Sequence, residues 1–315
     1  MYYAAFGLQR DPFMDTADPA YYYETIACAN GRRRLAECLI SGRGLAAVVG
    51  PIGVGKTTLC NAVQQDVLAV PSCRAGLILD PTFDDEADFV NAIGASLGVD
   101  LAGGSSPAGA HAAKDRLKRA LFSSLRDGTQ FVLFIDEAQL LPEPLLETLR
   151  SLLNYQVDER KLLAVALSGQ PELAQHLARH TGLTDRIALW LELEPLAQSE
   201  AAALLDHRLR VAGFSGARSP FSPETAAAAW RFSRGLPRRL TAVARAAMEV
   251  ASERGSSDVG VADIEAARKR VPPDTFSPST PSPSTNATHT DPVAVELQLD
   301  RDRRRRRWPW AWFAR

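Results

Sequence analysis

Hydrophobic positions along this chain fall into two rhythms. Five short apolar runs, at residues 45–49, 75–79, 131–135, 162–167 and 187–193, read as strands. The first four are nearly continuous, as expected for parallel strands covered on both faces. The fifth alternates Ile187, Leu189, Leu191 and Leu193, which predicts an edge strand, with Trp190 out of pattern. Between these runs lie segments of helical period at 57–70, 86–97, 112–125 and 143–154. Strands alternating with helices predict a parallel α/β sheet. After Pro195 the pattern is helical only, at 199–212, 223–233, 237–254 and 262–270. Gly213 closes the first of these and Pro237 suits a first helical turn. The expectation is an α/β unit over 1–195 and a small helical domain over 196–270.

Composition changes this picture at the C-terminal end. The chain has 315 residues, 46% hydrophobic and 23% charged, which excludes a wholly disordered, collagen-like or polytopic membrane protein. A length of this order allows about two domains. No run approaches the roughly 20 apolar residues of a spanning helix. The opening residues lack a basic segment followed by an apolar one, so no secretory signal is expected and the cytoplasm is the expected location. Residues 271–300 begin Pro/Ser/Thr-rich and read as a flexible linker; 98–110 is a Gly/Ser/Ala-rich loop within the first unit. Of 36 basic and 37 acidic residues, seven arginines and one acid lie in 301–315, so that tail carries +6 and the rest −7. The body is therefore not built as a whole to attract phosphate backbones. Cys28, Cys38, Cys60 and Cys73 form no C-x-x-C pair and read as small buried hydrophobes in a reducing compartment.

The strongest chemical signal is Gly50-Pro51-Ile52-Gly53-Val54-Gly55-Lys56-Thr57, followed by Thr58. It fits G-x-x-x-x-G-K-[ST] between a predicted strand and a predicted helix. Glycines let the backbone turn several N–H groups toward phosphate oxygens, and the helix N-terminus adds partial positive charge. Lys56 is expected to reach the β- and γ-phosphates, and the Thr57 hydroxyl to ligate Mg²⁺. The competing reading is a glycine-rich turn with no ligand.

A second signal is the apolar run 131–135 ending in Asp136-Glu137. Asp136 at a strand end can orient water on Mg²⁺, and Glu137 can polarise an attacking water. An acidic helix start after a strand is the plainer alternative.

These motifs together resemble a family. The phosphate loop, Ile135-Asp136-Glu137-Ala138-Gln139 and Ser168-Gly169-Gln170-Pro171-Glu172-Leu173 are similar to the AAA+ ATPase domain of the general secretion pathway protein A family. So are Phe6-Gly7-Leu8 with Asp11-Pro12-Phe13, Asp185-Arg186-Ile187 with Leu193-Glu194-Pro195-Leu196, and Gly235-Leu236-Pro237-Arg238. The resemblance runs from residue 1 to about 270 with the motifs in order. It implies a P-loop αβα sandwich with a five-stranded parallel sheet, a helical lid, binding and hydrolysis of ATP with Mg²⁺, and a homo-oligomer with nucleotide at the subunit interface.

The resemblance also implies roles. Gln170 looks like sensor 1, with Ser168 as the alternative and a plain Gly-Gln-Pro turn as the competing reading. Arg186 resembles an arginine finger given in trans to a neighbouring subunit, with Arg160 and Arg179 as rivals. A guanidinium fits the dispersed charge of phosphoryl transfer. Arg238 resembles sensor 2, with Arg239 adjacent to it. Residues 6–13 are expected to close over the adenine; otherwise Tyr2, Tyr3, Tyr21, Tyr22 and Tyr23 pack this segment onto the sheet. Arg32-Arg33-Arg34, after Asn30 as a helix cap, read mainly as a solvated face.

The tail, Arg303–Arg307 followed by Trp308-Pro309-Trp310-Ala311-Trp312-Phe313, is too short after its arginines to span a bilayer. The plainest reading is a tail with no partner. Contact with an anionic membrane surface, where Trp and Arg are both favoured, and stacking on single-stranded nucleic acid are the alternatives. The expected function is an accessory ATPase in protein secretion or pilus assembly, peripheral at the inner membrane. A nucleic-acid-associated ATPase of the transposition or replication-initiator type is the alternative.

Overall fold

Among the described residues the strands are β1 (Leu45–Val49), β2 (Cys73–Ile78), β3 (Gln130–Ile135), β4 (Gln156–Val157), β5 (Arg160–Lys161), β6 (Leu163–Gly169) and β7 (Ile187–Glu192). The computed structural model describes residues 1–14, 19–99, 101, 109–126, 128–157 and 160–272. Five strands form one parallel sheet in the order β2-β3-β6-β1-β7; β4 and β5 make a separate antiparallel ribbon. The linker 271–300 beyond Pro272, the tail 301–315 and most of the 98–110 loop lie outside the described residues.

Burial follows strand order. Every residue of the three central strands, β3, β6 and β1, is buried. This is why their sequences are continuous apolar runs. Edge strand β7 alternates, and Trp190 is 41% exposed on its open side. The period of two sorts the central side chains into two layers. Leu45, Ala47, Leu133 and Val165 face helices α3 (Glu86–Ser96), α4 (Ala110–Arg126) and α5 (Glu143–Leu152). Ala46, Val48, Phe134 and Ala166 face α1 (Ile26–Ile40) and α2 (Lys56–Leu68). The result is an α/β sandwich with helices on both sides of a five-stranded parallel sheet.

Several elements depart from the sequence expectation. Helix α1 carries no clean apolar stripe, and Gly31 interrupts it. A Cβ at Gly31 would stand 3.1 Å from the Leu191 side chain, so the glycine lets α1 lie close on β7. Asn30 is inside this helix; the cap is Thr25, whose Oγ1 accepts from the Cys28 N–H at 3.1 Å. Arg32 is also not simply solvated, since it pairs with Asp66 at 2.6 Å and Glu24 at 3.4 Å. Helices α6 (Glu172–Ala178) and α7 (Thr181–Thr184) are too short to show a period. Cys38, Cys60 and Cys73 are buried in the core and Cys28 is half-buried.

Helices α8 (Gln198–Val211), α9 (Pro223–Ser233), α10 (Pro237–Glu253) and α11 (Val261–Ala267) surround a third apolar cluster. The N-terminal segment belongs to this cluster, not to the sheet. Phe6, Leu8, Phe13 and Tyr21 are buried in it, and Tyr2, Tyr3 and Tyr23 pack against it. Gln9 and Arg10 donate backbone N–H groups to the Ala212 carbonyl at 3.0 and 3.4 Å. The Tyr21 ring lies beneath two guanidiniums, those of Arg208 at 5.1 Å and Arg10 at 5.9 Å.

Because Phe134 fills the α1/α2 side of the sheet and is 1% exposed, Phe134→Ala should lower unfolding free energy by about 3–5 kcal/mol. Denaturant unfolding checks this, and a cost below about 1 kcal/mol would contradict the packing described.

Candidate functional site

The loop after β1 is shaped by two left-handed glycines, Gly53 at φ 77° and Gly55 at φ 108°. Residues with a Cβ rarely adopt these angles, so the loop needs glycine there. Val54 points into the core and anchors the loop, while Ile52 stands 41% exposed at its tip. The Gly50 N–H donates to the Gly169 carbonyl at 3.3 Å, tying the loop to the end of β6. Lys56 opens α2 and is only 6% exposed. Its Nζ donates to the carbonyls of Gly50 at 2.9 Å and Pro51 at 3.1 Å. Burial pushes its ammonium below the usual lysine range, opposed by the charges of Glu137 and Asp136. Gly50, Pro51 and Val54 thus build the loop from within. Ile52, Gly53, Gly55, Lys56, Thr57 and Thr58 line the adjoining cavity of about 360 Å³.

The acidic pair arrives from β3, two strands away. Asp136 is 6% exposed, and its Oδ2 accepts from Thr57 Oγ1 at 2.5 Å. Its Oδ1 accepts from the Glu137 backbone N–H at 3.0 Å. Glu137 takes a left-handed conformation at φ 47°, one of two non-glycine residues to do so among those described. Such a backbone costs on the order of 1–3 kcal/mol and tends to mark functional positions. The turn carries the Glu137 side chain to the cavity wall. There its Oε2 accepts from Gln170 Nε2 at 3.2 Å and from Gln139 Nε2 at 2.6 Å. Of the two sensor 1 candidates, Gln170 is the one that touches Glu137; Ser168 is buried inside β6 at 1% exposure. Thr57 and Asp136 offer a hydroxyl and a carboxylate side by side at the foot of the loop. That donor set fits a hard cation such as Mg²⁺, which takes oxygen ligands and keeps several waters.

The roof of the cavity comes from the helical cluster. The Arg238 N–H, in the first turn of α10, donates to the Gly53 carbonyl at 3.2 Å, so the helix stands directly on the loop. Arg238 lines the cavity, whereas the Arg239 guanidinium lies over the Phe232 ring at 5.0 Å. Arg208 and Arg245, from α8 and α10, also line it. Sequence reasoning passed over both, because on their helices they look like ordinary polar-face residues. Arg208 donates to the carbonyls of Pro12 at 2.8 Å and Met14 at 2.7 Å. These bonds hold Phe13 and Met14 against the cavity mouth. Lys56, Arg208 and Arg238 against Glu137 leave the cavity cationic, suited to a polyanion, while Arg245 is paired with Glu249 at 3.2 Å and Asp11 at 3.7 Å.

Arg186 is not in this constellation. It precedes β7, at the N-terminal end of the sheet, where its carbonyl stands 3.8 Å from a Cβ built on Gly44. The phosphate loop follows the opposite end of β1, five residues away, or about 16 Å at roughly 3.3 Å per residue. The Arg186 guanidinium donates to Asn154 Oδ1 at 2.5 Å and to the Gly182 carbonyl. Its rival Arg179 is exposed at the end of α6. The Arg160 side chain lies outside the described residues.

The family model described as an AAA domain matches residues 38–177, the span holding the phosphate loop, the acidic pair and Gln170. Residues 38–177 thus carry an AAA domain of the AAA+ P-loop type. General secretion pathway protein A of Aeromonas hydrophila is 32% identical to this chain over 273 residues, covering 86% of the chain and 48% of that relative. The chain thus spans about half the length of the curated relative. Among solved structures, the Aeropyrum pernix ORC2 protein in its ADPNP–ADP complexes matches with a TM-score of 0.60 at 18% identity, over 83% of this chain and 71% of that one. Drosophila ORC bound to DNA matches with 0.62 at 17%, over 84% and 65%. At these identities the structures share the fold.

The buried Lys56 gives this AAA+ site a pH signature. Its ammonium would attract a polyphosphate and its neutral amine would not. Affinity is therefore full below its lowered pKa and is lost as pH rises through it, before an exposed lysine would titrate. Calorimetric titration with ATP from about pH 7 to about pH 10 should show this decline. Lys56→Arg, charged throughout, should not show it; parallel profiles for the two proteins would refute the assignment.

Proposed function

We propose that this AAA+ protein binds and hydrolyses ATP with Mg²⁺ and uses the cycle to change subunit packing, as an accessory ATPase in protein secretion or pilus assembly. The observation that carries the enzymatic part is the meeting of Thr57, Asp136 and Glu137 beneath a cavity closed by Lys56 and Arg238. Lys56 and the loop amides bind the β- and γ-phosphates. Mg²⁺, held through Thr57 and Asp136, supplies neutralisation of phosphate charge when bound. Glu137 accepts the proton of the attacking water, and Gln170 holds its carboxylate beside the γ-phosphate. Arg238 belongs to the first turn of the lid helix and bonds the loop, so it reports the phosphate to the lid. Phe13 and Met14 close over the base, held there by Arg208.

Arg186 acts in trans in this reading. Its place at the far end of β1 supports that, since its side chain is too short to reach its own cavity. Its hydrogen-bond partners are a neutral carbonyl and a neutral amide, and its charge also acts on the nearby Glu147 carboxylate. Nucleotide then sits between subunits of a homo-oligomer.

The secretion role and a peripheral position at the inner membrane rest on the 32% identity to general secretion pathway protein A. The likeness to DNA-bound ORC is of fold, so the nucleic-acid-associated reading stands second. No helix among the described residues is long and apolar enough to cross a membrane, and the Arg/Trp tail is assigned to an anionic membrane surface.

Expected outcomes follow for purified protein. Glu137→Gln binds ATP but loses turnover by about 10²-fold or more. Arg186→Ala binds ATP and fails to hydrolyse it, and mixing it with Glu137→Gln restores part of the activity. Normal turnover of Glu137→Gln removes it as the base; no rescue with unchanged oligomer size makes Arg186 structural. Sedimentation with anionic liposomes, lost on deleting residues 301–315, supports the membrane role. Turnover stimulated by DNA, with steep salt dependence, supports the nucleic-acid role instead.

A further inference from the structure

The shortest hydrogen bond to the Glu137 carboxylate comes from Gln139, two residues further on. Glu137 turns left-handed and caps the short 3-10 helix Ala138–Leu140. That turn folds the Gln139 side chain back, so that Nε2 donates to Glu137 Oε2 at 2.6 Å. The other end of the same amide is also engaged, since Oε1 accepts from the Gln170 backbone N–H at 3.1 Å. The two bonds fix the orientation of the amide. Flipping it would set a carbonyl against a carboxylate and an amino group against an N–H. The fit is close, because a Cβ on Gly169 would stand 2.7 Å from Gln139 Oε1. Gln170 Nε2 adds a longer bond to the same Oε2, at 3.2 Å. Both donors therefore fall on one carboxylate oxygen. Oε1 of Glu137 accepts no hydrogen bond among the described residues.

We propose that Gln139 is a positioning residue that pins Oε2 of Glu137 and leaves Oε1 to accept the proton of the attacking water. Glu137 has three side-chain torsions, and a carboxylate free to rotate samples orientations that face no water. Gln139 removes that freedom before substrate arrives. By binding the Gln170 backbone as well, it couples the ends of β3 and β6, so Glu137 and Gln170 hold a constant separation. Gln139 does not line the cavity and is not expected to touch nucleotide. This inference rests on the reading of Glu137 as the base.

The test is a double-mutant cycle on the full chain, with kcat, KM and ATP affinity measured for each variant. Gln139→Met keeps nearly the same volume and removes both hydrogen bonds. It should lower kcat about tenfold with KM and ATP affinity within about twofold. In the Glu137→Gln background the same substitution should have no further effect, because the carboxylate it positions is gone. Gln139→Glu, of equal length, sets a second carboxylate against Glu137 and should lose more than Gln139→Met. It also serves if Gln139→Met does not fold. An unchanged kcat, a loss confined to KM, or an equal loss with and without Glu137 would overturn the proposal. Full turnover of Glu137→Gln alone would instead overturn the reading of the base, so the two failures are distinguishable.

Discussion

Everything in the site depends on one property of a parallel sheet: all strands end on the same side. The 2.5 Å contact between Thr57 and Asp136 joins the ends of β1 and β3, which are separated in the sheet by β6. β6 in turn delivers Gln170 between them. Three segments distant in sequence thus place a hydroxyl, two carboxylates and an amide around one point. The sheet holds them there because its central strands are buried along their whole length. An antiparallel arrangement of the same strands would send half of these groups to the opposite edge.

The second half of the cavity is contributed by α8 and α10 of the helical cluster. Their link to the phosphate loop is short: the Arg238 N–H to the Gly53 carbonyl, beside a glycine whose missing side chain makes the approach possible. The N-terminal segment is part of the same unit, buried against α8 and α10 and bonded to Ala212 and Arg208. Movement of the helical cluster would therefore carry both the arginines and Phe13–Met14, opening or closing the roof as one body. The floor would stay with the sheet.

Charge is distributed in keeping with this division. The floor pairs a desolvated lysine with two acids, and the roof presents guanidiniums with no carboxylate of their own lining the cavity. A polyanion entering between them would neutralise both surfaces at once. Arg186 sits at the other end of the strands, bonded to Asn154 and to the Gly182 carbonyl.

Much of this was legible in the residues. The 50–57 run, the Asp136-Glu137 pair and the alternation of strands and helices are local patterns. Local periodicity reports directly which side chains a strand or helix buries. The edge position of β7 was visible for the same reason, in its alternating leucines. Helix α1 was not legible, because its packing depends on Gly31 meeting Leu191, a contact that no short window contains. Tertiary structure alone decided the strand order, that Gln170 and not Ser168 touches Glu137, that Arg238 and not Arg239 lines the cavity, and that Arg208 and Arg245 reach its wall. It also sent the N-terminal aromatics to the helical cluster. Arg208 meets Pro12 across 196 positions of chain. Such meetings follow from how whole layers stack, and sequence spacing carries no record of that.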